Sequence, residues 1–336
     1  MRYDSILLAL MNSERPKSKP PITFLIICGV ALLYGLFARL LFASRAFENY
    51  GSIVSWSFIC VLPFAFGALV TFLGFKLVGP STFWRIGAPF IVITLAFFIS
   101  IITDLEAILC VIVAIPIMAP SAMIGGIIMA FLLKKSSGNL QVSFIAFLPF
   151  LSAPIENIWQ KPHQQVAITD TIEIDATPEQ VWAKIVSVPA IQLEELPSQW
   201  IYLLDFPKPI AAEIDHHAVG GKRLATFERD VSFFEVVTEF KPNKKLSFTI
   251  EADPEFIPHT AFDQHIIVGG RFYDVLNGSY TIETTKTGCK LILTSNHRLS
   301  TPFNSYAGVW SKWTMNQIQN SILTVIKNRA ESSTSF

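Results

Sequence analysis

The sequence predicts two unlike parts joined end to end: a multi-pass α-helical membrane bundle of four or five spans, then an α+β domain in which a curved antiparallel sheet wraps one long C-terminal helix. Three observations predict it. Only 15% of the 336 residues are charged and 51% are hydrophobic, where an ordinary soluble chain carries about 25% charged residues. The apolar residues of the first 155 positions fall in long, nearly unbroken runs. From Ile168 onward they alternate with polar ones instead, the period of a half-buried strand.

Spanning a bilayer takes roughly 20 mostly apolar residues. After a polar tail (1–21), four segments meet that requirement, at 22–43, 53–78, 86–103 and 107–133. A fifth, 140–155 (LQVSFIAFLPFLSAPI), is short and carries Gln141 and two serines, so it either spans with help from Trp159 at an interface or lies as a re-entrant or surface piece. The first apolar run exceeds the h-region of a cleavable signal peptide, so none is expected. Basic residues set orientation. Arg2, Arg15, Lys17 and Lys19 lie in the tail, Lys76 and Arg85 flank the second connection, and Lys134 and Lys135 the fourth. The N-terminus is therefore expected on the cytoplasmic side. The following domain is extracytoplasmic if the fifth segment spans, the arrangement favoured here, and cytoplasmic if it does not. No ionisable residue sits at mid-span, where it would mark a transport pathway. The spans (22–155) read as an anchor.

After a linker (156–165), the domain over 166–330 opens on ITDTIEI and then Thr177, an N-cap, with Pro178 at the first helical position and Gln180 completing a capping box. The helix runs over 178–187. A short helical piece is expected within 191–196. Strands follow in KRLATFERD, SFFEVVTEF (232–240), LSFTIEA (246–252), the segment 271–283, and the pair around the glycine turn of YTIETTKTGCKLILTSN. KPNKK supplies a turn through its Pro and Asn. Short strands on tight turns argue for a meander. NSYAGVWSKWTMNQIQNSILTVIKNRA (304–330) is a long helix with an apolar stripe of Met315, Ile318, Ile322 and Val325/Ile326. A short tail (331–336) closes the chain. A curved sheet cannot close fully on a straight helix, and the gap left is the kind of apolar, aromatic space that takes small hydrophobic molecules.

The opening IEIDATPEQVWAKIVS, the strands EVVTEFKPNKKLSFTI and GSYTIETTKTGCKLILTS, and the terminal helix with Trp310 and Trp313 resemble the SRPBCC superfamily, which groups START-like, polyketide cyclase/dehydrase and lipid-transport proteins. The resemblance covers about 166–330. It implies the helix-grip fold and a cavity for a hydrophobic ligand, but no particular reaction, since function lives in sites rather than folds. The membrane half with LPSQWIYLLDFPKPIAAEIDHHAVGGKR is similar to a bacterial membrane-anchored subgroup, which implies the bacterial inner membrane.

Charge and motif narrow the function further. The first 160 residues carry a net +4 and the rest −4; neither is basic enough for nucleic acid. No Cys-x-x-Cys occurs, and Cys28, Cys60, Cys110 and Cys289 read as buried hydrophobes. The H-x3-D-x-H of His259, Asp263 and His265 matches no metal geometry, so neither a metal nor a cofactor is expected. No G-x-S-x-G elbow is present. His216 and His217 are adjacent and, if in a strand, point to opposite faces. His297 shares parity with Leu291 and Leu293, so it points to the core face, where a histidine can act as acid or base; His265 is the other such candidate. Trp182, Phe227, Phe234, Phe248, Phe272, Tyr280, Trp310 and Trp313 suffice to line a cavity, with Arg223 and Arg271 beside Gly-Gly pairs suited to a carboxylate or phosphate at its mouth, or else simply solvated.

The expected function is a membrane-tethered binder of a lipid or other hydrophobic small molecule, its partners being the bilayer and that ligand. A cyclase- or dehydratase-like enzyme using a cavity histidine is the second reading. The third is an interaction or sensory module assembling with another membrane protein or a second copy.

Overall fold

The computed structural model describes residues 20–44, 47, 50–135, 138–158, 163–252 and 268–333. The chain divides into two compact units, a helical one of Met1–Ile102 with Ala114–Ile158 and an α+β one of Thr103–Val113 with Trp159–Phe336.

The helical unit holds α1 (Pro20–Ala43), α2 (Leu62–Leu77), α3 (Ala88–Ile102), all but the start of α4 (Ile108–Leu133), and α5 (Asn139–Ile158). Helices α2 and α3 each begin with a π-helical turn, Ser57–Val61 and Phe83–Gly87. Four helices are long and apolar enough to cross a membrane: Ile22–Ala43, Ser57–Leu77, Phe83–Ile102 and Ile108–Leu133. The expected fifth segment is one continuous helix, α5, rather than a broken loop, but it falls outside that set. Leu25, Leu33, Phe37 and Phe98 point outward and are mostly exposed. Such surface is compatible with a membrane protein and costly in water.

Small residues let the helices touch. A methyl group on Gly67 (α2) would stand 1.8 Å from the Ala122 carbonyl oxygen of α4, and one on Gly125 would stand 1.9 Å from the Phe64 oxygen. Such close approach is how apolar helices associate where lipid removes the hydrophobic drive. Polar contacts tie the rest. Tyr34 donates its hydroxyl to the Ala146 oxygen at 2.8 Å, and Glu156 at the end of α5 accepts from the Trp56 and Ser57 backbone amides at 2.7 and 2.9 Å. A carboxylate there satisfies donors that a helix start leaves unpaired.

In the α+β unit, β1 (Gln164–Ile174) leads into α6 (Pro178–Val186), a 3₁₀ turn (Leu193–Glu195) and the one-turn α7 (Trp200–Leu203). Then come β2 (Pro209–Ile214), β3 (Lys222–Phe227), β4 (Ser232–Lys241), β5 (Lys245–Glu251), β6 (Tyr273–Thr284), β7 (Cys289–Leu299) and the long α8 (Asn304–Ser332). The strands form one seven-stranded sheet in the order β1-β7-β6-β5-β4-β3-β2, every pair antiparallel. That is the expected meander, with β1 added beside β7. Bulges at Val237/Glu239 in β4 and Val275/Asn277 in β6 raise the local twist and curl the sheet.

Local chemistry agrees with the reading of the sequence at several points. Thr177 and Gln180 form both arms of the capping box at the start of α6. Asn243, in the KPNKK turn, takes a left-handed backbone (φ 62°) that asparagine tolerates. Three details differ. The segment 271–283 and YTIETT are one strand, β6, and β2 (PIAAEI) completes the count in place of the strand so lost. His216 and His217 sit in the turn between β2 and β3 rather than in a strand, both exposed. On α8 the buried positions include Gln319, Ser321, Leu323, Val325, Ile326 and Ala330, so the expected Val325/Ile326 end of the stripe is inward, while Met315, Ile318 and Ile322 are only half-buried. The register of α8 against β1 and β7 is set by Gln319 finding polar partners on those strands.

Candidate functional site

The concave face of the sheet carries the candidate site, because strand parity sends one half of each strand toward α8. On β7 the inward residues are Cys289, Leu291, Leu293, Ser295, His297 and Leu299, all buried. On β6 they include Gly278, Tyr280 and Ile282, on β5 Leu246 and Phe248, on β4 Glu235 and Val237, and on β3 Arg223 and Ala225. Next to α6 this interior is wholly apolar: Ile174, Val181, Ile185, Leu291, Leu323 and Ile326 pack as one core. Further along it becomes polar, in three places.

The first is Gln319 on α8. Its amide nitrogen donates to Ser295 Oγ at 2.6 Å and to the Ile168 carbonyl at 3.4 Å. Its oxygen, fully buried, meets no partner among the described residues.

The second is His297, 0% exposed. Its Nε2 lies 3.0 Å from Ser311 Oγ of α8, and its ring lies 5.3 Å from that of Tyr273. Its Nδ1 is buried and unpartnered among the described residues. Burial, and then the positive charge of Lys312, push the imidazole down to about 4, so it is neutral at physiological pH.

The third is a buried ion pair that spans a strand register. Arg223 of β3 faces Glu235 of β4 directly, and they are 3% and 6% exposed. A guanidinium nitrogen of Arg223 bonds to Glu235 Oε2, and the guanidinium carbon sits 5.3 Å from the centroid of Phe248. Tyr280 also acts electrostatically on Arg223. Burial works to lower the Arg223 pKa, but Glu235 and Tyr280 outweigh it and hold the guanidinium above its ordinary value. Burial pushes the Glu235 carboxyl up, with Arg223 pulling the other way. The pair remains carboxylate and guanidinium, because Arg stays protonated in proteins and a lone buried guanidinium costs more than a paired one. Arg223 Nε is buried with no partner among the described residues. Gly278 makes room here: a methyl group on it would stand 2.7 Å from the Phe248 ring.

Of the residues expected at the site, Phe248, Tyr280 and Arg223 come together on the concave face. Arg223 is buried, not solvated. Phe272 is buried beside the exposed Arg271, whose guanidinium lies over its ring at 5.6 Å. Phe227 is half-buried against Phe233, and Trp182 against Phe240, each ring pair edge to face. Trp310 and Trp313 are half-buried and touch each other. Phe234 does not belong with these: it is 51% exposed on the convex face, across from Leu224. Glu235, its neighbour, takes the inward position with Val237. His265, with His259 and Asp263, lies outside the described residues. Among the described residues no group of three or more His, Cys, Asp or Glu side chains is placed to hold a metal. Glu235, Ser311 and Gln319 were not foreseen. The signal for Glu235 was present, a single charge inside an apolar strand (FFEVV) with Arg223 of opposite sign one hairpin away.

No protein-family model matches the chain, and no curated protein does. Solved structures do match. A protein from Nitrosomonas europaea is 12% identical and matches over 51% of this chain and 97% of its own length, with a TM-score of 0.33. One from Mesorhizobium loti is 19% identical over 48% and 98%, with a TM-score of 0.29. A protein of unknown function from Staphylococcus aureus is 11% identical over 52% and 98%, with a TM-score of 0.34.

Proposed function

We propose that the α+β unit binds an amphiphilic hydrophobic molecule, a lipid or a lipid-like compound, between its curved sheet and α8, and that the helical unit holds it at a membrane. One observation carries this reading. The interior is apolar at one end, yet Arg223 Nε, His297 Nδ1 and the Gln319 oxygen are buried on it without partners among the described residues. An interior that only packed would pair nearly all such atoms. A molecule with an apolar body and a polar end would use both kinds of surface. The SRPBCC resemblance of 166–330 agrees with such a ligand; the likeness of the membrane half to an anchored bacterial subgroup supports the bacterial inner membrane, and the basic residues of the tail and connections support a cytoplasmic N-terminus.

Tethering supports the same reading. A sparingly soluble ligand partitions into the bilayer, and a short linker keeps the binding unit at high effective concentration beside it. The reading of a cyclase-like enzyme rests on His297, which is neutral at physiological pH, although burial and Lys312 make it a weak base. Assembly with another membrane protein or a second copy is the remaining reading.

The test uses the full chain in lipid discs, with a protease site placed in the 159–162 linker. Cleavage frees the sheet and α8, residues 163–336, for native mass spectrometry. A reproducible extra mass that travels with the folded unit and is shed on denaturation supports binding and identifies the ligand class. A folded unit with a clean mass, unchanged by incubation with membrane lipid extract, refutes it and favours an interaction module.

A further inference from the structure

The buried ion pair narrows what the polar end of that ligand is. Buried arginines are good receptors for anions, because the planar guanidinium meets a carboxylate or phosphate with two parallel bonds and opposite charge. Arg223 is not in that state. Glu235 stands opposite it in register, and a guanidinium nitrogen is committed to the Glu235 carboxylate. Tyr280 adds its own electrostatic pull on the same group, and Phe248 covers its face. Among the donors left over is a buried N–H, at Nε, with no partner among the described residues. The cluster is electrically neutral as a whole. An anion brought to it would place a second negative charge beside Glu235 with one positive charge between them, in a region of low dielectric where that imbalance is expensive. A neutral oxygen acceptor would take the Nε–H bond and change no charge.

Building on the binding reading above, we propose that the Arg223–Glu235–Tyr280 cluster recognises a neutral oxygen-bearing end of the ligand, a carbonyl or a hydroxyl, and rejects a carboxylate or phosphate end. Phe248 and Tyr280, with rings 6.1 Å apart, flank the polar group and offer apolar contact to the adjoining chain. Glu235 is thus the selectivity residue. It does not touch the ligand; it sets the charge that Arg223 presents.

The experiment compares two photoreactive probes on the full chain in lipid discs at neutral pH: a long-chain alcohol and the carboxylic acid of the same chain length, each with a diazirine in mid-chain. Labelling is read as probe mass on peptides from β3 to β6. The wild type should be labelled by the alcohol at least about tenfold more than by the acid. Glu235→Gln keeps the shape but frees the positive charge of Arg223, and should reverse the preference toward the acid. Arg223→Met/Glu235→Leu removes both charges at similar volume, a replacement that buried pairs commonly tolerate better than loss of one partner, and should bring the ratio near unity.

Failure of both probes to label β3–β6 peptides, with label confined to the helices, overturns the binding reading itself. Labelling by both probes with a wild-type ratio near one, or a ratio that neither variant moves, overturns the neutral-end proposal and leaves binding standing.

Discussion

Replacing His297 by glutamine should remove a large part of the acid sensitivity of the α+β unit. His297 is wholly buried and its imidazole is pushed down to about 4 from an ordinary 6.5, first by burial and then by Lys312. The unfolded chain takes up a proton near 6.5, whereas the native chain resists it until about 4. Stability is therefore full above the unfolded value and is lost as pH falls toward the folded one. At about 1.4 kcal/mol per pKa unit, this one group withdraws roughly 3 kcal/mol across that window. Glutamine keeps a partner for the Ser311 hydroxyl but has no proton to gain. The assay is urea unfolding of the α+β unit within the full chain, read by pulse proteolysis at closely spaced pH values. The difference between wild type and variant cancels the carboxylates, which titrate in both. A difference that shrinks by about 1.4 kcal/mol per pH unit between 6 and 4.5 supports the reasoning. Parallel curves would refute it and mean that the imidazole reaches solvent or an acidic partner.

Three further outcomes follow from the packing. Gly67→Ala should destabilise the helical unit by about 2 kcal/mol or more, as overpacking against backbone does, because the new methyl would lie 1.8 Å from the Ala122 oxygen; Gly29→Ala, which meets nothing within 4 Å, should be neutral or slightly stabilising in the same detergent melts. Phe248→Ala should cost about 3 kcal/mol or more, whereas Phe234→Ser should cost less than about 0.5 kcal/mol; equal losses by denaturant titration would contradict the assignment of faces on β4. Arg329 binds Glu195 through two nitrogens at 2.6 and 2.7 Å and also the Pro189 and Ala190 carbonyls at 3.0 and 2.9 Å, fastening α8 to the segment before α7. Arg329→Lys cannot reproduce that fork and should lower stability by about 1–2 kcal/mol, measured by the same urea titration.

Much of this architecture is legible in the residues. Capping and turn chemistry act locally, so Thr177-Pro178-Glu179-Gln180 and KPNKK announce an α-helix start and a hairpin without help from the rest of the chain. The antiparallel meander follows from strand lengths and tight turns. What escapes the sequence is decided by contacts far apart along it. A bulge at Val237/Glu239 shifts the parity of β4, so Phe234, Val236 and Phe240 do not share one inward face as an unbroken strand would require. No local pattern marks that bulge. Likewise Gln319 looks like a surface residue flanking an apolar stripe. It is buried because Ser295 and the Ile168 carbonyl wait for it on β7 and β1. Arg223 reads as an ordinary solvated arginine until β3 and β4 are set in register.

The arrangement of the polar groups bears on the choice between binder and enzyme. Acid–base catalysis needs a donor and an acceptor converging on one reacting atom. His297 has one nitrogen occupied by Ser311, and the charged group acting on it is the cation Lys312, which lowers its basicity. The charged pair on the concave face, Arg223 and Glu235, stands on β3 and β4, separated from β7 by β5 and β6 in the sheet. They are also engaged with each other. Two polar stations held apart by Phe248, Tyr280 and the aliphatic residues between them do not form a catalytic pair. They suit a single extended molecule whose polar atoms are spaced along an apolar body. That geometry favours binding over turnover, and it makes Glu235→Gln, rather than a histidine variant, the substitution expected to change what the protein accepts.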